Sequence, residues 1–157
     1  MASNPHWPRW IFASISKHFS DRKGSYTLYI EGQPRTAPQP ADLLELRVDG
    51  PYLTEYSKGE WYGYVEVSIL QQTILTDTNY HNLATMQGLV ASAFTDIQCY
   101  KYGTGVADDQ SFFGCLKLIQ DPTKRERIQI NNFGIIDPAT QMMQGTVEGH
   151  FRIELTA

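Results

Sequence analysis

Positive charge is in short supply in this sequence. Thirteen Lys and Arg stand against 17 Asp and Glu, a formal net charge of −4. A protein that grips nucleic acid needs a basic excess to displace counterions from phosphates. The balance therefore argues against a basic nucleic-acid binder, while leaving DNA free to pass nearby without sticking. Charged residues of both signs make up only 19% of the chain, which is low for the surface of a free monomer. Cysteine is equally scarce. Cys99 and Cys115 each sit in an apolar, strand-like stretch, IQCYKY and FFGCLKL. No His or further Cys lies near either at metal-ligand spacing, which excludes a zinc site. Two free thiols in a reducing compartment and a disulfide between neighbouring strands both stay open. No apolar run approaches the ~20 residues of a membrane-spanning helix. The opening MASNPHWPRW lacks the basic and apolar regions of a signal peptide, so a cytoplasmic product is expected.

Catalytic patterns are missing as well. Asp108-Asp109 is the most acid-dense spot, but adjacent side chains in an extended loop diverge and no third ligand accompanies them. They read as a solvated pair. Gly103-Thr104-Gly105 is too short for a phosphate loop and no Lys-Ser/Thr follows it. His6, His18, His81 and His150 show no catalytic spacing to a Cys, Ser or Asp. They read as surface or interface residues. The expectation is a protein without enzymatic activity, metal or cofactor.

Aromatic side chains are plentiful by contrast: nine Tyr, seven Phe and three Trp among 157 residues. That length fits one domain with a core large enough to need no cross-links. Low charge combined with many aromatics is the composition of a surface that partners cover. A core that happens to use aromatics is the plainer alternative.

Periodicity supplies the elements. Trp7, Ile11, Ile15 and Phe19 recur every four residues as one helical stripe, widened by Phe12, with Asn4 and Pro5 suited to the start. Trp10 falls off this stripe, which leaves two readings open: exposed as an interface residue, or folded over the helix edge. Tyr26–Ile30 alternates as a strand, and a proline-rich loop follows over Gln33–Pro40. Leu44, Leu46 and Val48 mark a second strand that Asp49-Gly50-Pro51 should end. Trp61–Gln72 is the clearest strand, with Trp61, Val65, Val67 and Ile69 on one face and Tyr62, Tyr64, Glu66 and Ser68 on the other. Ser57-Lys58-Gly59 is the turn before it, the tip of a hairpin arm near 50–60. A second helix runs from about Asn79 to Phe94, starting at Asp77-Thr78-Asn79, and its Gly88 offers close packing against a sheet. Four strands follow at Ile97–Tyr102, Phe112–Ile119, Arg127–Phe133 and Gly145–Leu155, with a mobile loop over 103–110. The order α-β-β-β-α-β-β-β-β, joined by hairpin-length connections, predicts a single-domain α+β fold over 1–157. Its sheet is largely antiparallel, with two helices packed on one face.

Three segments carry a family resemblance: the opening helix WPRWIFASISKHF, the strand-then-helix unit GEWYGYVEVSILQQTILTDTNYHNLATMQGLVASAF, and the closing strand GTVEGHFRIEL. In their order they resemble the tail terminator (neck) proteins of long-tailed bacteriophages. The resemblance implies a virion structural protein that forms a hexameric ring on the finished tail tube, stops its growth and offers a docking surface to the head connector or stopper. DNA would cross the lumen of such a ring, and an acidic wall would repel its phosphates. A head-completion adaptor, a stopper or a minor tail protein is the nearest alternative. A small enzyme or ligand-binding domain is a more distant one. The candidate subunit-interface residues are Trp10, Tyr62, Tyr64, Asp108 and Asp109, with Tyr52–Ser57 in the hairpin tip. Ordinary packing or solvation is the alternative reading of each.

Overall fold

Two long antiparallel pairings organise the chain. The computed structural model describes residues 5–35, 37, 39–76, 81–120 and 126–156. Its elements are α1 (Trp7–Asp21), β1 (Thr27–Ile30), β2 (Leu43–Ser57), β3 (Glu60–Ile74), α2 (Asn82–Ala93), β4 (Ile97–Tyr100), β5 (Phe112–Ile119), β6 (Ile128–Asp137) and β7 (Met142–Thr156). This is the order that the periodicities predict. The nine elements form one α+β domain, a curled mixed sheet with two helices. The expected starts of the helices, Asn4 and Asp77-Thr78-Asn79, lie outside the described residues.

β2 and β3 form the first long pairing, in register from Leu43↔Gln72 to Ser57↔Glu60. Lys58-Gly59 closes the hairpin, with Gly59 at φ +77°, a conformation that glycine adopts without a steric penalty. The expected chain end of β2 at Asp49-Gly50-Pro51 is wrong. Gly50 takes φ +102° and the register shifts between Asp49 and Tyr52, so the strand bulges and continues to Ser57. β3 also pairs with β7 along its whole length, from Glu60↔Thr156 to Ile74↔Met142. The far edge of β7 is shared. β6 takes Met142–Gly149, and β5 takes only His150–Arg152 before turning away to pair with β4. β1 lies parallel to β2, and this one pairing makes the sheet mixed.

Alternation decides which face is buried. Val65, Val67 and Ile69 of β3 meet Leu44 and Leu46 of β2 and Val147, Phe151 and Ile153 of β7 in one core cluster, which both helices join. In α1 the four-residue stripe Trp7, Ile11, Ile15 and Phe19 is buried as expected, but Phe12 is not part of it and stays exposed. A second row, Trp10, Ser14 and His18, is buried instead. The cause is that α1 meets the sheet on two sides. One row faces the shared core and the other faces β4, where Ser14 Oγ bonds both the amide and the carbonyl of Tyr100. A helix in contact over more than one groove buries positions i, i+3 and i+4, not i and i+4 alone. His18 is therefore not a surface residue. Its Nε2 lies 2.8 Å from the Ala93 carbonyl at the end of α2, and burial lowers its pKa.

The two cysteines lie on opposite faces of the β4–β5 pair. Cys99 is opposite Gly114, whereas Cys115 is opposite Gln98. Both thiols are free. Cys99 is fully buried, and burial pushes its pKa up to about 12. Cys115 is half-exposed on the outer face.

Candidate functional site

The five candidate interface residues separate into three environments. Trp10 is in the core at 1% exposure, which rules out the exposed one of its two readings. Its ring packs edge-on against Phe113 at 5.4 Å between centroids, and the Lys101 ammonium lies 5.3 Å over it. Its indole N–H points to the loop over 103–110.

Asp108 receives that N–H. The solvated pair expected at Asp108-Asp109 is half wrong, because the Asp108 side chain is 1% exposed. Its carboxylate accepts from Trp10 Nε1 and Arg9 Nη2, each at 2.5 Å, and from the Gly105 amide at 3.0 Å. Donation by Trp10, helped by Arg9 and Gly105, outweighs burial and holds its pKa at about 2. Asp109 faces solvent and caps the Ser111 amide and hydroxyl. Asp108 thus ties the 103–110 loop to the first turn of α1. An aspartate whose pKa is lower folded than unfolded stabilises above the unfolded value and loses that contribution as pH falls towards the folded one. Asp108→Asn should therefore lower Tm at neutral pH. The gap to the parent should shrink between about pH 4 and pH 2, where the parent's own carboxylate protonates. Thermal melts of both proteins across that range check this. A gap independent of pH would mean that the ionised carboxylate is not what holds the loop.

Tyr62 and Tyr64 occupy the outer face of the sheet, half-buried. Tyr64 hydroxyl lies 2.6 Å from His150 Nδ1, and the rings stack at 5.6 Å. His150 is 9% exposed and not the surface residue expected from its polar side of the strand. Tyr62 carries the Arg152 guanidinium over its ring at 4.5 Å and meets Tyr56 of the arm at 5.9 Å. The outer face therefore joins the arm to β7 through aromatic and cationic contacts.

Sequence reading missed three surface features. The first is β6. From Ile128 to Ile136 it carries no charge over nine residues, and Ile130, Phe133, Ile135 and Ile136 are each about half exposed. Phe133 and Ile136 sit at the two register shifts against β7, where a bulge turns a side chain outward. The second is a trough of about 320 Å³ on the outer face, where the carboxylates of Glu31, Asp49, Glu66 and Glu148 outnumber Arg47 and His150. The third is a trough of about 500 Å³ where β5 leaves β7, lined by Phe112, Cys115, Lys117, Ile119, Arg152 and Glu154. The β6 signal was available as the nine-residue uncharged run Ile128–Ile136, with five apolar residues among it. The troughs had no local signal, since each depends on strands far apart in the chain.

No protein-family model and no curated protein sequence matches the chain. Among the described residues, no group of three or more His, Cys, Asp and Glu side chains is placed to hold a metal ion. No helix among them is long and apolar enough to cross a membrane.

Proposed function

We propose that this protein is a structural subunit of a phage neck, capping the tail tube as a ring and presenting a docking surface for the head connector. The observation that carries the reading is β6. A strand at a sheet edge is normally guarded by charge, because its free backbone groups and apolar side chains recruit other strands. β6 has bulges, no charge before its last residue Asp137, and four half-exposed apolar side chains. Such a surface fits a subunit whose working state is an assembly. The element order, which resembles that of the tail terminators, supports reading the assembly as one of the neck. The acidic outer trough suits a ring that DNA crosses without being held.

The test is the mass of the purified protein in solution, alone and with tail tube protein. A particle of about six subunits that binds tube ends in negative-stain images is the expected result. A monomer at all concentrations, with no binding to tube or connector protein, overturns the reading. A ring seen at another level of the virion would assign the chain to an adaptor, a stopper or a minor tail protein.

A further inference from the structure

The trough between β5 and β7 has an empty strand position beside it. β7 pairs with β6 and β5 along one edge as far as Arg152, and among the described residues nothing pairs with Ile153–Thr156 on that side. The trough is lined by exposed Phe112, half-buried Cys115 and Ile119, and two cations, Lys117 and Arg152. Arg152 is shared with Glu154 at 3.2 Å, whereas Lys117 has no carboxylate within 4.0 Å among the described residues. The groove thus asks for an element that is aromatic, acidic and able to pair as a strand.

The chain carries such an element. The β2–β3 arm exposes Tyr52 and Tyr56, each about half accessible, and the carboxylates of Glu55 and Glu60. Among the described residues, β1 pairs with β2 only at Leu43–Leu46 and nothing pairs with the outer edge of β2 along the arm. A chain cannot place its own arm edge in its own trough. β3 and β7 stand between them, and the open edge of β2 faces away from β7. The donor and acceptor surfaces therefore lie on opposite sides of the ribbon.

We propose that the β2–β3 arm of one copy docks in the β5–β7 trough of the next, laying its open edge along Ile153–Thr156, with Glu55 and Glu60 towards Lys117 and Arg152. Opposite-sided surfaces make a head-to-tail contact, which closes into a ring or runs on as a filament. The inference rests on the ring reading and names the surface that would build it.

Cys115 provides the test, because it lines the trough while Cys99 is sealed in the core. Tyr52→Cys, Thr54→Cys and Tyr56→Cys are made singly in the full chain, oxidised mildly with copper–phenanthroline and run on non-reducing gels. At least one should give a ladder beyond the dimer, abolished by Cys115→Ser and by reductant. In a separate series, Lys117→Glu should weaken self-association by about tenfold or more, and adding Glu55→Lys should restore it. A ladder that stops at the dimer means a two-fold contact and overturns the proposal. So does a multimer of normal mass with no cross-link from any arm position, or one indifferent to Lys117→Glu; the ring reading then survives without this interface. A parent protein that is monomeric throughout removes the ring reading itself.

Discussion

Trp10→Ala is expected to cost about 3–5 kcal/mol of folding stability, the range for truncating a buried aromatic. Trp10 is 1% exposed and touches Phe113, and its N–H is the main support of the Asp108 carboxylate. Truncation would open a cavity between α1 and β5 and release the loop that Asp108 pins. A domain of this kind has about 5–15 kcal/mol in total, so the variant would sit close to its unfolding limit. Trp10→Phe separates the two contributions. It keeps most of the ring volume and removes only the donor, so its cost should be smaller, about 1–3 kcal/mol. Urea unfolding followed by circular dichroism measures both. If Trp10→Ala lost less than about 1 kcal/mol but failed to assemble, Trp10 would be a surface contact after all, and the packing of α1 would need revision.

Trp10 also shows where local pattern stops being informative. The order of all nine elements was legible because alternation and helical spacing are properties of neighbouring residues. The stripe Trp7, Ile11, Ile15, Phe19 was legible for the same reason. The second buried row was not, because only the position of β4, nearly ninety residues on, decides that Ser14 and Trp10 also face protein. Asp108 was misread on similar grounds. Its partners Arg9 and Trp10 are 99 and 98 residues away, and a carboxylate in a glycine-rich loop has the local look of a solvated one. The parallel pairing of β1 with β2 left no mark either. Thr27–Ile30 is four residues long, and its alternation is the same whichever way its neighbour runs. Of the candidate assembly surface, the hairpin arm and its aromatic residues could be read from the turn at Lys58-Gly59. The trough that would receive it could not, because it exists only where β5 departs from β7 after three paired residues.

Glycine gives the second large effect, as a pair of opposite sign. Gly88 of α2 was the glycine expected to allow helix and sheet to approach. A Cβ added there would meet nothing within 4 Å. The close approaches are on β7: a Cβ at Gly145 would run into the Gln87 amide of α2, and one at Gly149 would lie 2.6 Å from Cδ1 of Phe94, the residue after α2, and 3.3 Å from Leu118 Cδ1. Phe94 cannot readily give way, since it is 3% exposed and packed between Phe19 at 5.1 Å and Phe151 at 6.0 Å. Gly149→Ala should therefore destabilise by about 1–3 kcal/mol through overpacking, and Gly149→Val by more. Gly88→Ala should stabilise by about 0.5–1 kcal/mol, because glycine loses more backbone freedom in a helix than alanine does. The two alanine variants add the same methyl group, so any difference in sign comes from the surroundings. Thermal melts of the pair decide the matter. If Gly149→Ala melted at or above the parent temperature, Phe94 would not be wedged against β7, and the seat of α2 on the sheet would be looser than its contacts indicate. If Gly88→Ala were the damaging one, the close contact between helix and sheet would lie on the helix side, where the sequence alone had placed it.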